Sequence, residues 1–191
     1  MKPTYDEALN GTIQWRSEYK DIGILLSFHG YREDAGYHSE GTWCYYLLLD
    51  ERMFKPEDWK KMWFKPKKTE YGLDHQYHRF PDVDFHCGIT FYEQGVTYDR
   101  KTYKKIKTLK VGCDYAHYWD LERGYPDHYD SVLFDAKHSV SVLLNHFPDV
   151  KWKCAYSGIW DVQENFYVAK NGKTIHNSMK DSIEWDDWKA A

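Results

Sequence analysis

Two stretches decide the fold that this sequence predicts: Phe85-His86-Cys87-Gly88-Ile89-Thr90-Phe91 and Val111-Gly112-Cys113-Asp114-Tyr115-Ala116-His117-Tyr118-Trp119-Asp120. Each alternates apolar with polar residues and holds a glycine, which is the pattern of a strand with one buried face. The strands are predicted over 85–92 and 106–114. Because strands that are close in sequence usually pair, we expect them to form an antiparallel hairpin.

The predicted pairing gathers polar side chains on one face of the two strands. Side chains alternate along a strand, so His86 and Thr90 point away from the apolar residues of the first strand. Lys110 and Asp114 do the same on the second strand. A glycine on each strand adds no side-chain volume to this face, so the sequence predicts a recessed polar surface, that is, a pocket.

The second stretch contains an Asp-x-x-His-x-x-Asp pattern formed by Asp114, His117 and Asp120. A strand that ends at Asp114 and then turns would bring the three side chains together, because three-residue spacing shares a face on a helical segment. Imidazole and carboxylate groups can hold a divalent metal that activates water. They can also act as a base and its orienting acid without metal. A purely structural ion pair or turn is the third alternative, and the pattern leaves all three open.

Eight residues form the predicted site: His86, Thr90, Lys110, Asp114, His117, Tyr118, Trp119 and Asp120. His117 is the best candidate for a general acid or base, and Asp114 and His86 are the other catalytic candidates. The metal alternative uses Asp114, His117 and Asp120 as ligands. The remaining residues are expected to contact a small polar ligand, and the aromatic rings of Tyr118 and Trp119 could stack on a nucleotide base.

The rest of the chain predicts an α+β fold in a single domain spanning 1–191, with a mainly antiparallel sheet, one long helix and two or three short helices. Apolar runs predict strands over 22–28, 43–49 and 151–156 and a hairpin over 166–175. Helical periodicity predicts helices over 4–9, 55–64, 131–147 and around 183–188. A polar, irregular stretch over 65–84 predicts a long surface loop.

Composition restricts the class of partner. The net charge of −4 argues against a surface that follows nucleic-acid phosphates, so a nucleic-acid partner is disfavoured. No apolar run approaches the length of a membrane span, so we expect no membrane association. The four cysteines show no paired spacing and lie in apolar stretches, which predicts buried free thiols in a reducing cytoplasm: Cys44, Cys87, Cys113 and Cys154.

The two stretches resemble an uncharacterised family of small bacteriophage and prophage proteins. The family pattern has His-Gly-Gly, then Ile or Leu, Thr, and Phe or Tyr; after a spacer it continues Gly-Phe-Asp-x-x-His-x-x-Asp. This chain has Cys87 in place of a glycine and Cys113 in place of an aromatic residue. A His-Pro-Leu-Tyr-Gly element associated with the family is absent after Leu49. The resemblance implies a phage accessory protein that acts in the bacterial cytoplasm, where such proteins often counter host defence.

These observations lead to two hypotheses. In the first, the protein binds or hydrolyses a small polar, nucleotide-like ligand in a His/Asp pocket, with or without a divalent metal. In the second, it is a non-enzymatic interaction module that inhibits a host defence protein through aromatic surface residues. The sequence does not identify the ligand or the host target.

Overall fold

A computed structural model of the chain describes residues 11–30, 41–65, 68–69, 72–73, 80–123, 126, 128–169, 173–182 and 188–190. The strands are β1 (Thr12–Tyr19), β2 (Ile22–His29), β3 (Thr42–Asp50), β4 (Lys68–Thr69), β5 (Gly72–Leu73), β6 (Phe91–Tyr98), β7 (Lys105–Asp114), β8 (Trp152–Lys153), β9 (Trp160–Asp161), β10 (Phe166–Ala169), β11 (Thr174–His176) and β12 (Trp188–Ala190). The α-helices are α1 (Pro56–Met62), α2 (Tyr118–Arg123) and α3 (Tyr129–His146).

A five-stranded antiparallel sheet in the order β1-β2-β3-β7-β6 forms the centre of the structure. Strands β1 and β2 form a hairpin whose two turn residues, Lys20 and Asp21, have φ angles of 49° and 59°. Positive φ at both positions is typical of a two-residue turn that matches the twist of a hairpin. Strand β7 lies between β3 and β6, so the predicted hairpin partner of β7 is also its neighbour in the sheet.

One face of the sheet packs against α3, which lies over β2 and β3. The helix contributes buried side chains at helical spacing to the main core: Val132, Ala136, Val140 and Leu143. Strand β3 contributes Trp43, Tyr45, Leu47 and Leu49 to the same core. A hydrogen bond of 2.7 Å between the Tyr45 and Ser139 hydroxyls satisfies both polar groups inside it. Burial of these apolar faces therefore fixes α3 on the sheet.

The opposite face of the sheet carries a smaller cluster around Gly112. Leu25, Cys44 and Tyr46 are buried there, and Phe91 packs against them. Gly112 pairs with Tyr46 on one side and Phe91 on the other, and these two rings meet edge to face at 5.0 Å. The space that a glycine opens at this point is therefore occupied by aromatic rings. The recess predicted here from the sequence is filled.

Replacing Gly112 with alanine tests this close packing. A Cβ atom at Gly112 would lie 2.0 Å from the backbone oxygen of Tyr45, so the strands must move apart. We expect Gly112→Ala to lower the free energy of unfolding by about 2 to 3 kcal/mol, measured by chemical denaturation. Gly23→Ala is the matched control, because its nearest contact is the Leu48 Cβ at 3.2 Å. Equal losses in the two variants would contradict the account.

The C-terminal strands have a hydrophobic cluster of their own, formed by Trp152, Cys154, Phe166 and Ile175. Asp21, in the β1–β2 turn, connects these strands to the sheet. Its carboxylate accepts hydrogen bonds from the Lys153 backbone N–H at 3.0 Å and from the Thr174 hydroxyl at 3.0 Å. Burial raises the pKa of Asp21 from 3.8 to about 6, although these hydrogen bonds oppose the shift.

The raised pKa of Asp21 predicts a pH dependence of stability. Between pH 3.8 and about 6 the folded protein binds more protons at this group than the unfolded chain does, so its contribution to stability falls as pH rises. Asp21→Asn removes the titrating group. As the pH rises from 3.8 to about 6, we expect the unfolding free energy of the wild type to fall, relative to that of the variant, by on the order of 1 to 2 kcal/mol. Parallel pH profiles from urea denaturation would contradict this assignment.

The coarser fold prediction, a mixed α/β protein with a large antiparallel sheet, is confirmed. Three predicted strands and two predicted helices are confirmed to within two residues at each end: Ile22–His29, Thr42–Asp50, Lys105–Asp114, Pro56–Met62 and Tyr129–His146. The predicted hairpin is present as the antiparallel pair β10 and β11. Helix 4–9 and most of helix 183–188 lie outside the described residues, and Trp188 begins a strand.

Three further differences from the prediction concern strands. Strand β1 was not predicted, the strand expected over 151–156 is only Trp152–Lys153, and the loop expected over 65–84 contains the short pair β4 and β5. Among the described residues, no helix has both the length and the hydrophobicity for crossing a bilayer.

Candidate functional site

The segment before β6 is a turn, and the strand predicted over 85–92 is therefore wrong at its start. The backbone N–H of Gly88 donates to the Phe85 oxygen at 2.9 Å, and Cys87 and Gly88 have φ angles of 51° and 95°. These left-handed conformations close a tight turn and cannot belong to an extended strand. The alternation of faces consequently does not apply to His86.

His86 lies on the helix-facing side of the sheet. Its ring stacks on Tyr115, with centroids 4.4 Å apart, and its backbone is a hydrogen-bond partner of the Tyr45 hydroxyl and the Cys113 thiol. Burial raises the pKa of both of these groups, so the hydroxyl and the thiol stay protonated. Asp114 follows Cys113 in β7, so its side chain points to the opposite face of the sheet from Cys113. On that face it neighbours Cys44, its partner in β3. The predicted meeting of His86 and Asp114 does not occur.

The chain turns sharply after β7. The Asp114 Oδ1 atom accepts a hydrogen bond from the Ala116 backbone N–H at 3.1 Å, which is the geometry of an Asx turn. Helix α2 follows, and the Asp120 carboxylate accepts from the backbone N–H of His117 at 3.2 Å. This contact resembles the returning half of a capping box, in which an acidic residue in the first turn satisfies the N–H of the residue before the helix.

Asp120 also connects two imidazole rings. Its Oδ1 lies 2.9 Å from His86 Nε2, and its Oδ2 lies 2.9 Å from His117 Nδ1. The Asp120 side chain is only 3% exposed, while both histidine rings are partly exposed. A buried carboxylate needs hydrogen-bond donors, and the two ring N–H groups supply them. We call His86, Cys87, His117 and Asp120 the His–Asp cluster.

Aromatic side chains border the His–Asp cluster. The Trp119 ring is nearly parallel to that of His117 at 5.7 Å, and Trp119 is 51% exposed. The hydroxyl of Tyr115 donates to Asp135 Oδ2 at 2.7 Å, which fixes the ring on which His86 stacks. Burial raises the pKa of Tyr115, so this hydroxyl remains a donor. The cluster is therefore held on one side by buried contacts and is open at Trp119.

Lys110 lies on the far face of the sheet with Asp114, and Thr90 directly precedes β6 beside the end of β7. The Thr90 hydroxyl accepts from the Asp114 backbone N–H at 3.1 Å. The Lys110 ammonium lies 4.1 Å from the ring centroid of Tyr46 and 4.5 Å from that of Phe91. Tyr118 begins α2, but its side chain lies outside the described part of the structure. Lys110 and Asp114 are thus on the opposite face of the sheet from His86, His117 and Asp120.

The metal ligands predicted from the sequence are not the ones that the structure groups. Asp114 is separated from His117 and Asp120 by the sheet. Instead, one ligand atom from each of His86, Cys87 and His117 lies within 4.8 Å of the others. Cys87 Sγ is 3.7 Å from His86 Nε2.

Cys87 is the residue that the sequence reasoning missed. It was predicted to be a buried thiol, but it is exposed, whereas the prediction of burial is correct for the other three cysteines: Cys44, Cys113 and Cys154. Two sequence signals could have pointed to it. It follows His86 directly, and it occupies a glycine position of the phage pattern, where a turn is to be expected.

A groove of about 420 Å³ lies beside the start of α3. It is lined by His128, Asp130, Ser131, Phe134 and Asp135. None of the eight predicted residues lines it. Its wall is nevertheless linked to the His–Asp cluster, because Asp135 accepts from the Tyr115 hydroxyl and Tyr115 carries the His86 ring.

A second histidine–carboxylate arrangement lies among the C-terminal strands. His176 Nε2 is 3.1 Å from Asp161 Oδ2, and His176 Nδ1 is 2.7 Å from the Ser178 hydroxyl. The backbone N–H of Ser178 also donates to His176 Nδ1 at 3.1 Å. Since Ser178 lies two residues after His176 and uses its backbone on the same nitrogen, the arrangement is explained as a local turn.

Comparison with protein-family models, with curated proteins and with solved structures finds no match for this chain. The function of the His–Asp cluster is therefore argued from its geometry. The resemblance of the two sequence stretches to phage proteins remains a prediction.

The turn at Cys87 makes a prediction about stability. A non-glycine residue with a φ of 51° is strained, and glycine adopts this conformation without a steric cost. We expect Cys87→Gly to raise the unfolding free energy by about 0.5 to 1 kcal/mol, measured by urea denaturation. Cys87→Ser is the control, because serine retains a Cβ and should leave stability nearly unchanged. A loss of stability in Cys87→Gly would show that the thiol contributes more than the strain costs.

Proposed function

We propose that the His–Asp cluster binds a small polar ligand of the nucleotide type and serves as an acid–base centre of a hydrolase. One observation carries this proposal. A carboxylate that is 3% exposed, Asp120, holds two partly exposed imidazoles, those of His86 and His117, by hydrogen bonds of 2.9 Å. A buried acid that orients a histidine at the protein surface is the arrangement that general acid–base catalysis requires.

His117 is the proposed base. Its Nδ1–H donates to Asp120, so in the neutral ring Nε2 is the nitrogen that can accept a proton. In the proposed reaction, His117 takes a proton from water as the water oxygen attacks the ligand. The imidazolium, stabilised by Asp120, then returns the proton to the leaving oxygen. Atoms and charge balance without a further reactant.

Trp119 and His86 complete the proposed site. The exposed ring of Trp119 offers a stacking surface for a base next to His117. His86 adds a second imidazole on the same carboxylate, which can interact with a polar group of the ligand. Lys110 and Asp114 take no part in this proposal because they lie on the other face of the sheet, and the Thr90 hydroxyl is occupied by the Asp114 backbone N–H.

The proposed biological context is a phage accessory protein that counters host defence in the bacterial cytoplasm. Its support is the likeness of 86–91 and 112–120 to the phage pattern. A protein in this role would bind or degrade a nucleotide signal, which agrees with an acid–base site beside an exposed tryptophan.

A ligand screen tests the proposed site. The purified protein, treated with chelator, is heated with a panel of mononucleotides, dinucleotides and cyclic nucleotides, and its melting temperature is recorded. We expect at least one nucleotide to raise it by a few degrees, since a ligand at 100 times its Kd adds about 2.7 kcal/mol to stability. His117→Ala should abolish that rise; because the variant also removes a donor from the buried Asp120 carboxylate, its melting temperature without ligand should be lower, and each rise is measured from the same protein's ligand-free value.

His138→Ala is the matched control for the ligand screen. His138 Nε2 also lies 2.9 Å from a carboxylate, that of Asp84, but both side chains are well exposed and lie outside the cluster. This variant should respond to the nucleotide as the wild type does. A panel without any response, or an equal response in His117→Ala, would refute the proposed site.

A second candidate function is an interaction module that inhibits a host defence protein. The observation that favours it is the tip of the β6–β7 hairpin, where Tyr98 is 56% and Tyr103 is 81% exposed. The same stretch of sequence carries several basic residues: Arg100, Lys101, Lys104, Lys105 and Lys107. Exposed tyrosines among cations suit an acidic protein partner. Under this function, Tyr103→Ala would no longer protect a phage from host defence in infected cells, measured by plating efficiency, whereas His117→Ala would still protect it.

A further inference from the structure

We propose that His86, Cys87 and His117 bind a zinc ion, with Asp120 orienting His117. The ion would occupy the His–Asp cluster, so its catalytic role rests on the function proposed above, whereas its binding does not. The structure supports this ligand set through distance, donor chemistry and backbone conformation.

The distances are close to those of a tetrahedral site. Zinc bonds of about 2.0 to 2.3 Å place neighbouring ligand atoms roughly 3.3 to 3.8 Å apart. Cys87 Sγ and His86 Nε2 are already 3.7 Å apart. One ligand atom of His117 lies within 4.8 Å of the other two, so a contraction of about 1 Å would complete the triangle.

The donor set favours zinc over magnesium and calcium. A thiolate and two imidazoles are the ligands that zinc prefers, whereas magnesium and calcium prefer oxygen. Asp120 supplies the supporting shell, since its Oδ2 already accepts from His117 Nδ1. In metal sites a carboxylate on one ring nitrogen commonly fixes a histidine so that the other nitrogen faces the ion. With Nδ1 held by Asp120, Nε2 is the nitrogen of His117 that is left for coordination.

The backbone conformation explains how consecutive residues reach one ion. Cys87 has a φ of 51° in the turn that Gly88 closes, and this conformation brings Cys87 Sγ beside His86 Nε2. A left-handed cysteine costs stability, and such strain persists in proteins mainly where a site requires it. Cys87 is exposed, so an ion can enter from solvent.

Binding would release protons. Zinc displaces the proton of the Cys87 thiol and the proton that His86 Nε2 shares with Asp120, so the affinity should increase with pH. Three protein ligands leave the fourth position for water. A zinc-bound water is a stronger nucleophile at neutral pH, so with the ion bound the zinc, in place of the free Nε2 atom of His117, would activate the water.

A cobalt titration tests the ligand set. Chelator-treated protein is titrated with Co²⁺, whose bond to a thiolate gives a charge-transfer band in the near ultraviolet, and Zn²⁺ is then added in competition. We expect one equivalent of Co²⁺ to bind with this band and Zn²⁺ to displace it. Cys87→Ser should lose the band, and both Cys87→Ser and His117→Gln should weaken zinc binding at least tenfold. His138→Gln should match the wild type.

Two results would overturn the zinc site: no thiolate band in the wild type, or equal zinc affinity in the wild type, Cys87→Ser and His117→Gln. Cys87→Gly replaces Cys87→Ser if the serine variant fails to fold. The outcome is separable from that of the nucleotide screen, which uses metal-free protein. Zinc binding without a nucleotide response would leave a metal site and refute ligand binding by the metal-free cluster. The opposite pair of results would refute only the zinc site.

Discussion

The arrangement of side chains at the end of β7 determines where every candidate residue lies. Strand β7 is hydrogen-bonded on both sides, to β3 and to β6, so its register cannot shift without breaking both ladders. Cys113 is thereby directed toward α3 and Asp114 toward the opposite face. Tyr115 returns to the helix side, where it supports the His86 ring. The His–Asp cluster can form only on that side, because the sheet separates it from Asp114 and Lys110.

Much of the sheet and both larger helices were predictable because long apolar runs and helical periodicity have few alternatives. Strand β1 was missed because its Ile13, Trp15 and Tyr19 alternate with polar residues and form a weaker signal than a continuous apolar run. The segment 85–90 was misassigned for a different reason. Its alternating pattern is that of a strand, but Cys87 adopts a left-handed conformation that residue type does not predict. Because the turn at Cys87 interrupts the extended backbone, the alternation of side chains along β6 does not extend to His86.

The candidate site was predictable where spacing acts locally. His117 and Asp120 meet because three-residue spacing brings them together at the start of α2, as expected for a helical turn. Asp114 has the same spacing from His117 but belongs to a strand, where its direction follows the sheet. The contact between His86 and Asp120 joins residues that are 34 positions apart, and only the three-dimensional packing of Tyr115 under the His86 ring explains it.

Burial, rather than distance, distinguishes Asp120 from the other carboxylates that contact histidines. The Asp84–His138 pair has the same separation of 2.9 Å, but Asp84 is 73% exposed and water can replace its partner at little cost. Asp120 must keep its donors, and it has three: the His86 ring and both the ring and the backbone N–H of His117. If the His86 ring turned to a ligand or ion, Asp120 would still hold two hydrogen bonds, both from His117. His117 is therefore the anchored imidazole of the cluster, and His86 is the one that can move at the lower cost.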